Sequence, residues 1–348
     1  MTKLALYRKY RPQGFGDVLG QDHIVTILKN SVKLNRISHA YLFSGPRGTG
    51  KTSVARILAK EIGCIDVDLV EIDAASSRGI DEIRALREAV NFLPLESKVK
   101  VYIIDEVHML TKEAFNALLK TLEEPPAHVI FILATTELEK VPETIISRCQ
   151  NFSFHKIQEN VLRNATIAVA KKEGFSLDSE AASLIALSAE GSFRDALGLL
   201  DQIVSLADQN KDKKITGQEA REFLSIPSRE IIEKFIIALI EKKAEEGMET
   251  IQKTAEQNMD SRIFLKLILR DIRALLLLRL APGMREKLKE LMDEREFNFL
   301  EKIKDKPQSG DLELALKVFL DAFETRQHSY MPYLPLELAF VKIINRKT

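Results

Sequence analysis

Cysteine is scarce: Cys64 and Cys149 are the only two in 348 residues. Set that far apart, they form neither a disulfide framework nor a cysteine metal cluster, a usage that fits a reducing cytosol. An excess of one charge is also missing, since Lys plus Arg number 51 and Asp plus Glu number 51. A protein that coats nucleic acid by bulk charge is basic, so contact with DNA or RNA is expected to use local patches or to be shared with other subunits. The segment from Met1 to Tyr10 lacks the apolar run that a signal peptide needs. The most apolar stretch, Leu275 to Leu278, lies among Asp271, Arg273 and Arg279. It is too short and too charged to span a bilayer, and it reads as part of a buried helix. No repeat of fixed period and no low-complexity tract is apparent. These absences lead to the expectation of a soluble, cytoplasmic protein with no membrane partner.

What is present is an ordinary globular mix, 45% apolar and 29% charged, in a chain long enough for roughly two or three domains. Up to about residue 156 short apolar runs alternate with helical patterns. Ala40–Ser44, Asp68–Ile72, Val99–Ile104 and Val129–Ala134 read as strands. Continuous apolar runs separated by helices predict a parallel sheet covered on both faces. Thr111 is placed to cap a helix in which Phe115, Leu118, Leu119 and Leu122 share one face, and Pro125-Pro126 ends it. Beyond Lys156 the strand signals stop. Ser192 with Asp195, and Thr216 with Glu219, mark two helix starts. From Ser228 onward Glu230–Lys243, Ser261–Leu280, Arg285–Lys304, Leu312–Gln327 and Leu336–Ile344 read as helices. The expected class is α/β plus all-α: residues 1–156 as an α/β core, 157–225 as a small helical lid, and 226–348 as a helical domain.

Within that plan, Gly45-Pro46-Arg47-Gly48-Thr49-Gly50-Lys51-Thr52 matches G-x-x-x-x-G-K-[ST] between a strand and a helix. A chance match in a chain of this length has a probability on the order of 1%. Glycines 45 and 50 permit backbone angles and close approach that a side chain would block. Successive N–H groups and the helix N-terminus then face phosphates. Lys51 is expected to reach the β- and γ-phosphates of ATP, and Thr52 to ligate Mg²⁺ through its hydroxyl. Val101 to Glu106 delivers two carboxylates to a strand's C-terminal end, where ligands bind in open parallel sheets. Asp105 suits Mg²⁺ and Glu106 suits the attacking water, although the pair alone also fits a solvated acidic turn. Thr135-Thr136 ends the next strand, a position from which a γ-phosphate or lytic water can be sensed. Arg148, in Ser147-Arg148-Cys149, and Arg194, beside Ser192, are of the type that stabilises transition-state charge. By residue type alone both read as solvated surface groups.

Taken together, several segments resemble the bacterial DNA polymerase III gamma/tau family. They include Tyr7 to Pro12, Val18 to Gln21, His39 to Phe43, Glu71 to Ser76, Asp105 to Leu110, Phe115 to Pro126, Ala134 to Thr136, Ser147 to Cys149 and Glu190 to Leu197. The likeness is continuous from Tyr7 to about Gln202 and is one of pattern and length beyond. It implies an AAA+ ATPase, the motor of the sliding-clamp loader, acting in a five-subunit ring with other gamma copies, delta and delta-prime subunits. ATP would open the beta clamp, and primer-template DNA would trigger hydrolysis and release. By motif, Lys51 and Thr52 would bind ATP and Mg²⁺, Asp105 and Glu106 would be the Walker B pair, and Thr136 the first sensor. Arg194 would be the second sensor, and Arg148 the finger reaching a neighbour's ATP. Tyr7, Arg11, Pro12 and Val18 would pack near the adenine. Residues 226–348 would form the collar, and backbone-only DNA contacts would draw on residues such as Arg78 and Lys120.

Two departures from the family pattern stand out. The family carries a four-cysteine zinc module after the Lys51 helix, whereas here Cys64 runs directly into Ile65-Asp66-Val67-Asp68. One thiolate makes no closed tetrahedral site, so no zinc is expected. The chain also stops after the collar-like helices, which suggests a gamma-like form without the tau extensions. The other readings are a non-catalytic structural subunit of the delta-prime kind, against which Lys51-Thr52 and Asp105-Glu106 argue, and a hexameric AAA+ branch-migration motor.

Overall fold

The computed structural model describes residues 4–76, 80–207, 213–325 and 329–345. Two compact units emerge, Met1–Ser176 with Ile185–Lys213 and Leu177–Leu184 with Lys214–Thr348. In the first, a short helix α1 (Leu6–Lys9) and α2 (Asp22–Lys33) precede strand β1 (Ala40–Ser44) and helix α3 (Lys51–Glu61). Strand β2 (Leu69–Asp73) and α4 (Ile80–Ala89) follow, then β3 (Lys100–Asp105), α5 (Lys112–Glu123), β4 (Val129–Thr135), α6 (Glu143–Ile146) and β5 (Gln150–Ser153). Helix α7 (Glu159–Lys172) comes next, then α8 (Ser179–Ser188), whose residues up to Leu184 belong to the second unit, and α9 (Phe193–Ala207).

The five strands form one parallel sheet in the order β2-β3-β4-β1-β5. Alternate residues of each strand go to opposite faces. Tyr41, Phe43, Val101, Ile103, Ile130 and Ile132 pack with α2 and α3 on one side. Leu42, Tyr102, Ile104, Phe131 and Leu133 pack with α4 and α5 on the other. Both faces are therefore covered, which is why these strands read as unbroken apolar runs. The expected strands lie within a residue or so of the observed ones. The fifth, Gln150–Ser153, is absent from the sequence reading because only Phe152 of its four residues is buried. It is an edge strand held by backbone pairing to β1. The Thr111 cap forms as expected, its hydroxyl accepting from Ala114 N at 3.2 Å.

Where a zinc module would interrupt the chain, α3 connects to β2 through a tight junction. Asp68 is buried and accepts backbone N–H groups of Leu95, Glu96 and Ser97 at 2.6, 3.0 and 2.7 Å. Ile65 N donates to Ser97 Oγ at 3.0 Å. Burial pushes the Asp68 carboxyl up, but the three donors prevail and hold it at about 2. Cys64 packs in the core with its thiol donating to Ile65 O at 3.6 Å.

In the second unit α10 (Gly217–Phe223), α11 (Arg229–Ile240) and α12 (Ala244–Glu256) precede the longest helix, α13 (Ser261–Leu280). Helices α14 (Arg285–Leu291), α15 (Glu294–Ile303), α16 (Ser309–Thr325) and α17 (Leu334–Ile344) complete it. Helix α12 escaped the sequence reading, being rich in Glu and Lys with few buried positions. The helix expected over 285–304 is two, parted at Met292-Asp293 where Asp293 accepts from Glu296 N and starts a new helix. The Thr216–Glu219 capping box forms as expected. Gln327, the expected end of the helix from Leu312, lies outside the described residues, as does Arg78. Phe235 centres the core, its ring 5.5, 6.1 and 5.1 Å from those of Phe264, Phe319 and Phe340.

Beside that aromatic core lies a buried charge cluster. Arg229 Nη1 stands 2.7 Å from Asp271 Oδ2 and 3.4 Å from Glu296 Oε1, and Arg270 also binds Glu296. Burial raises the Asp271 pKa, with Arg229 opposing and Glu296 adding to the rise. Removing the guanidinium leaves the Asp271 carboxyl without its cation in an apolar interior, while Glu296 keeps Arg270. Arg229→Met is expected to lower unfolding free energy by roughly 3–5 kcal/mol, measured by urea denaturation of the whole chain. Arg295→Met, which breaks an exposed pair with Glu230, should change it by under about 1 kcal/mol.

Candidate functional site

A cleft of about 570 Å³ opens at the C-terminal ends of β1 and β3, within the first unit. It is lined by Arg47 to Val54, by Asp105 and Glu106, and by Tyr7, Arg11, Pro12 and Val18 from the N-terminal segment. Lys172 of α7 and Phe193, Arg194 and Leu197 of α9 close another side. The sheet order puts β1 beside β4 and β4 beside β3, with Ser44 opposite Thr135. The loop leaving β1 therefore passes directly over the tips of the two strands that carry the acidic and threonine residues.

The loop's shape follows from its glycines. Gly45 has φ +135°, and a Cβ there would lie 2.2 Å from Phe154 O, so no side chain fits. Gly48 has φ +73°, and a Cβ would meet Ser192 Oγ at 1.9 Å. That approach is used, because Phe193 N donates to Gly48 O at 3.0 Å and joins the loop to the start of α9. Thr49 is buried and donates to Pro46 O at 2.8 Å, while Pro46 and Arg47 are exposed. Gly50 is the N-cap of α3, is left-handed, and supplies no side-chain acceptor. The first-turn N–H groups of α3 thus stay free for an anion.

Charge is arranged for the same purpose. Lys51 is 6% exposed, and its ammonium donates to Gly45 O at 2.7 Å and Pro46 O at 2.9 Å. Burial pulls its pKa down, against the pull of Glu106 and Asp105. Arg11 is likewise lowered, first by burial and then by Arg56 and Arg194. Cations that depress one another in a cleft mark a place where an anion would bind. Thr52 Oγ1 donates to Asp105 Oδ2 at 2.7 Å. A hydroxyl and a carboxylate in contact beside the loop are the oxygen donors that suit Mg²⁺.

Glu106 begins the turn after β3 with φ +49°, a left-handed conformation unusual for a non-glycine residue and of the kind found at functional sites. Its Oε2 accepts Thr136 Oγ1 at 2.9 Å and Thr136 N at 3.2 Å. Thr136 is thus brought to Glu106, whereas Thr135 is fully buried and its hydroxyl lies 3.0 Å from His108 Nδ1. Arg194 reaches the cleft from the start of α9, next to Ser192, whose Oγ accepts from Asp195 N at 3.2 Å. Arg148 does not line the cleft. It donates to Glu123 Oε1 at 2.6 Å and to Thr144 O at 2.7 Å on a half-exposed surface. Lys120 is exposed on α5.

Three features of the site escaped sequence reasoning. Gln21, wholly buried, donates to His155 O at 2.8 Å and reaches Thr49 O at 3.4 Å, tying the loop to the chain beyond β5. His108 lies beside Glu106, and Glu137 lies on the other edge of the His108 ring. For His108 the available signal was its place two residues past the acidic pair. Among the described residues no group of three or more His, Cys, Asp or Glu has a metal-holding arrangement, and no helix is long and apolar enough to cross a membrane.

Comparison with known proteins adds the family. Residues 20–71 and 65–158 match the family described as DNA polymerase III, delta subunit. Residues 162–209 match the DNA polymerase III clamp loader subunit, ATPase lid domain, and 215–348 match DNA polymerase III subunits gamma and tau domain III. The chain is 36% identical to DNA polymerase III subunit gamma of Buchnera aphidicola (Schizaphis graminum), over 92% of each chain. It is 41% identical to DNA polymerase III subunit tau of Bacillus subtilis, over 86% of this chain and 56% of that one. The chain spans about half the length of the tau subunits it matches in Bacillus subtilis and Escherichia coli. Among solved structures it is similar to the Thermotoga maritima RuvB Holliday junction branch migration motor, with TM-score 0.54 and 21% identity over 67% of this chain and 80% of that one. The fold is that of an AAA+ P-loop core with a parallel sheet, an ATPase lid and a helical C-terminal domain.

Gly48→Ala is expected to keep the fold but weaken ATP binding, because the methyl collides with Ser192 and breaks the Phe193–Gly48 bond. Adding Ser192→Gly should recover part of the affinity, leaving about 1–2 kcal/mol of left-handed strain. Calorimetric titration with ATP checks both variants.

Proposed function

The chain belongs to the DNA polymerase III gamma/tau family, and from that premise we propose that it is an ATPase motor subunit of a clamp loader. ATP would occupy the cleft, with Gly45 to Thr52 around the phosphates and Tyr7, Arg11, Pro12 and Val18 near the base. The observation that carries this reading is the Thr52–Asp105 contact of 2.7 Å beside a glycine loop with free helix N–H groups. Thr52 and Asp105 would hold Mg²⁺, which neutralises phosphate charge when bound. Lys51 would exchange its two carbonyl partners for phosphate oxygens. Glu106, just past the end of an apolar strand beside them, would take the proton of the attacking water, with Thr136 and Arg194 sensing the phosphates.

Arg148 stands outside its own cleft on a half-exposed surface. That placement supports a role on a neighbouring subunit's ATP, in a hetero-pentamer with other gamma copies and with delta and delta-prime. The beta clamp and the backbone of primer-template DNA would be its further partners, and the cytoplasm its location. Lone, core-packed Cys64 supports the absence of zinc. A core ending near residue 156 and a lid after it are supported by the lid match over 162–209. The domain III match, which begins at 215, supports a helical domain starting about ten residues before the expected 226.

Three measurements test the reading, ATP binding by the isolated chain and two on the assembled loader. Wild-type chain should bind ATP, and no binding at millimolar ATP overturns it. Glu106→Gln should bind ATP and clamp but hydrolyse roughly 10²–10⁴-fold more slowly; a wild-type rate removes it as the base. Arg148→Ala should leave ATP affinity within about twofold and lower clamp- and DNA-stimulated turnover about 10³-fold or more. Unchanged stimulated turnover removes Arg148 from the neighbour's site.

A further inference from the structure

His108 lies on the turn after β3 with 5% of its side chain exposed, and each ring nitrogen faces a carboxylate. Nδ1 is 3.4 Å from Glu106 Oε2 and 3.0 Å from Thr135 Oγ1. Nε2 is 3.2 Å from Glu137 Oε1. Glu137 is itself anchored, its backbone N–H donating to Thr135 Oγ1 at 3.0 Å and its second carboxylate oxygen meeting Lys140 at 2.7 Å. Lys140 holds the Glu137 carboxyl below its ordinary range. The ring is therefore gripped on its far edge by a fixed anion, and Nδ1 on its near edge lies between the Thr135 hydroxyl, its nearer partner, and the Glu106 carboxylate.

Glu106 needs such support. Its side chain is 30% exposed, and long acidic side chains have several rotamers. Thr136 and His108 meet the same oxygen, Oε2, so together they leave the carboxylate little freedom to rotate. We infer that His108 is a positioning residue for hydrolysis: it holds the Glu106 carboxylate in its working orientation, and Glu137 fixes the imidazole that does so. The arrangement repeats the logic of a catalytic group oriented by a second, and the second by a third. This rests on the assignment of Glu106 as the base.

The test uses the full chain in the assembled loader with clamp and primed DNA. It compares affinity for a non-hydrolysable fluorescent ATP analogue with single-turnover ATP hydrolysis. His108→Ala should keep the analogue's Kd within about twofold while slowing hydrolysis about 10–100-fold, the usual effect of losing an outer-shell partner. His108→Asn, whose amide takes the place of Nδ1, should recover most of the rate. His108→Gln, whose amide takes the place of Nε2 towards Glu137, should recover less. Unchanged hydrolysis in His108→Ala overturns the inference. So does a loss of affinity equal to the loss of rate with no recovery in His108→Asn, which makes the ring merely structural. Wild-type hydrolysis by Glu106→Gln, measured alongside, instead overturns the base assignment, so the two failures are distinguishable.

Discussion

The parallel pairing of β1 with β4, Ser44 opposite Thr135, sets what every other part of the cleft can do. Parallel strands end on one side, so their loops gather there. With β3 on the far side of β4, a phosphate loop, an acidic pair and a threonine tip come together from segments far apart in sequence. The covered faces of the sheet hold that register, because a slip by one residue would turn Leu42 and Phe43 towards the wrong layers. A rigid floor is what lets a mobile triphosphate be met by atoms placed to within an ångström or so.

From that floor the site grows by short contacts rather than by bulk. Lys51 is almost wholly buried yet satisfied by two carbonyls, so the cleft can keep its cation ready without an anion present. The Phe193–Gly48 bond makes the start of α9 part of the loop's own wall. The loop and the helix that carries Arg194 are therefore fixed to one another by a backbone bond. Arg148 is satisfied differently, by a carboxylate and a carbonyl on an open surface, where exchange for another anion is cheap.

How much of this was legible in the sequence depended on whether local spacing encoded it. The loop Gly45 to Thr52, the strand ending in Asp105-Glu106 and the caps at Thr111 and Thr216 are short-range patterns, and they fold as expected. Strand β5 was not legible, because Gln150, Asn151 and Ser153 earn their place by backbone pairing to β1. The left-handed turn at Glu106 has no composition signal, and His108 becomes informative only when β4 brings Thr135 and Glu137 alongside. Arg229, Asp271 and Glu296 read as ordinary polar positions on three helices. Only their packing reveals that they meet in an apolar interior. The break at Met292-Asp293 was hidden by helical periodicity continuing across it.

The tight junction at Cys64 and Ile65 bears on how such chains diverge. Asp68 and Ser97 hold the chain just past that junction, and a segment inserted between Cys64 and Ile65 would lie outside the loops that their bonds close. A segment spliced there would begin and end at points already fixed by the host, and doubling its length would add only about 0.6 kcal/mol of closure entropy. The junction is therefore a permissive seam, where whole modules can be gained or shed while the ATP-binding floor remains the same.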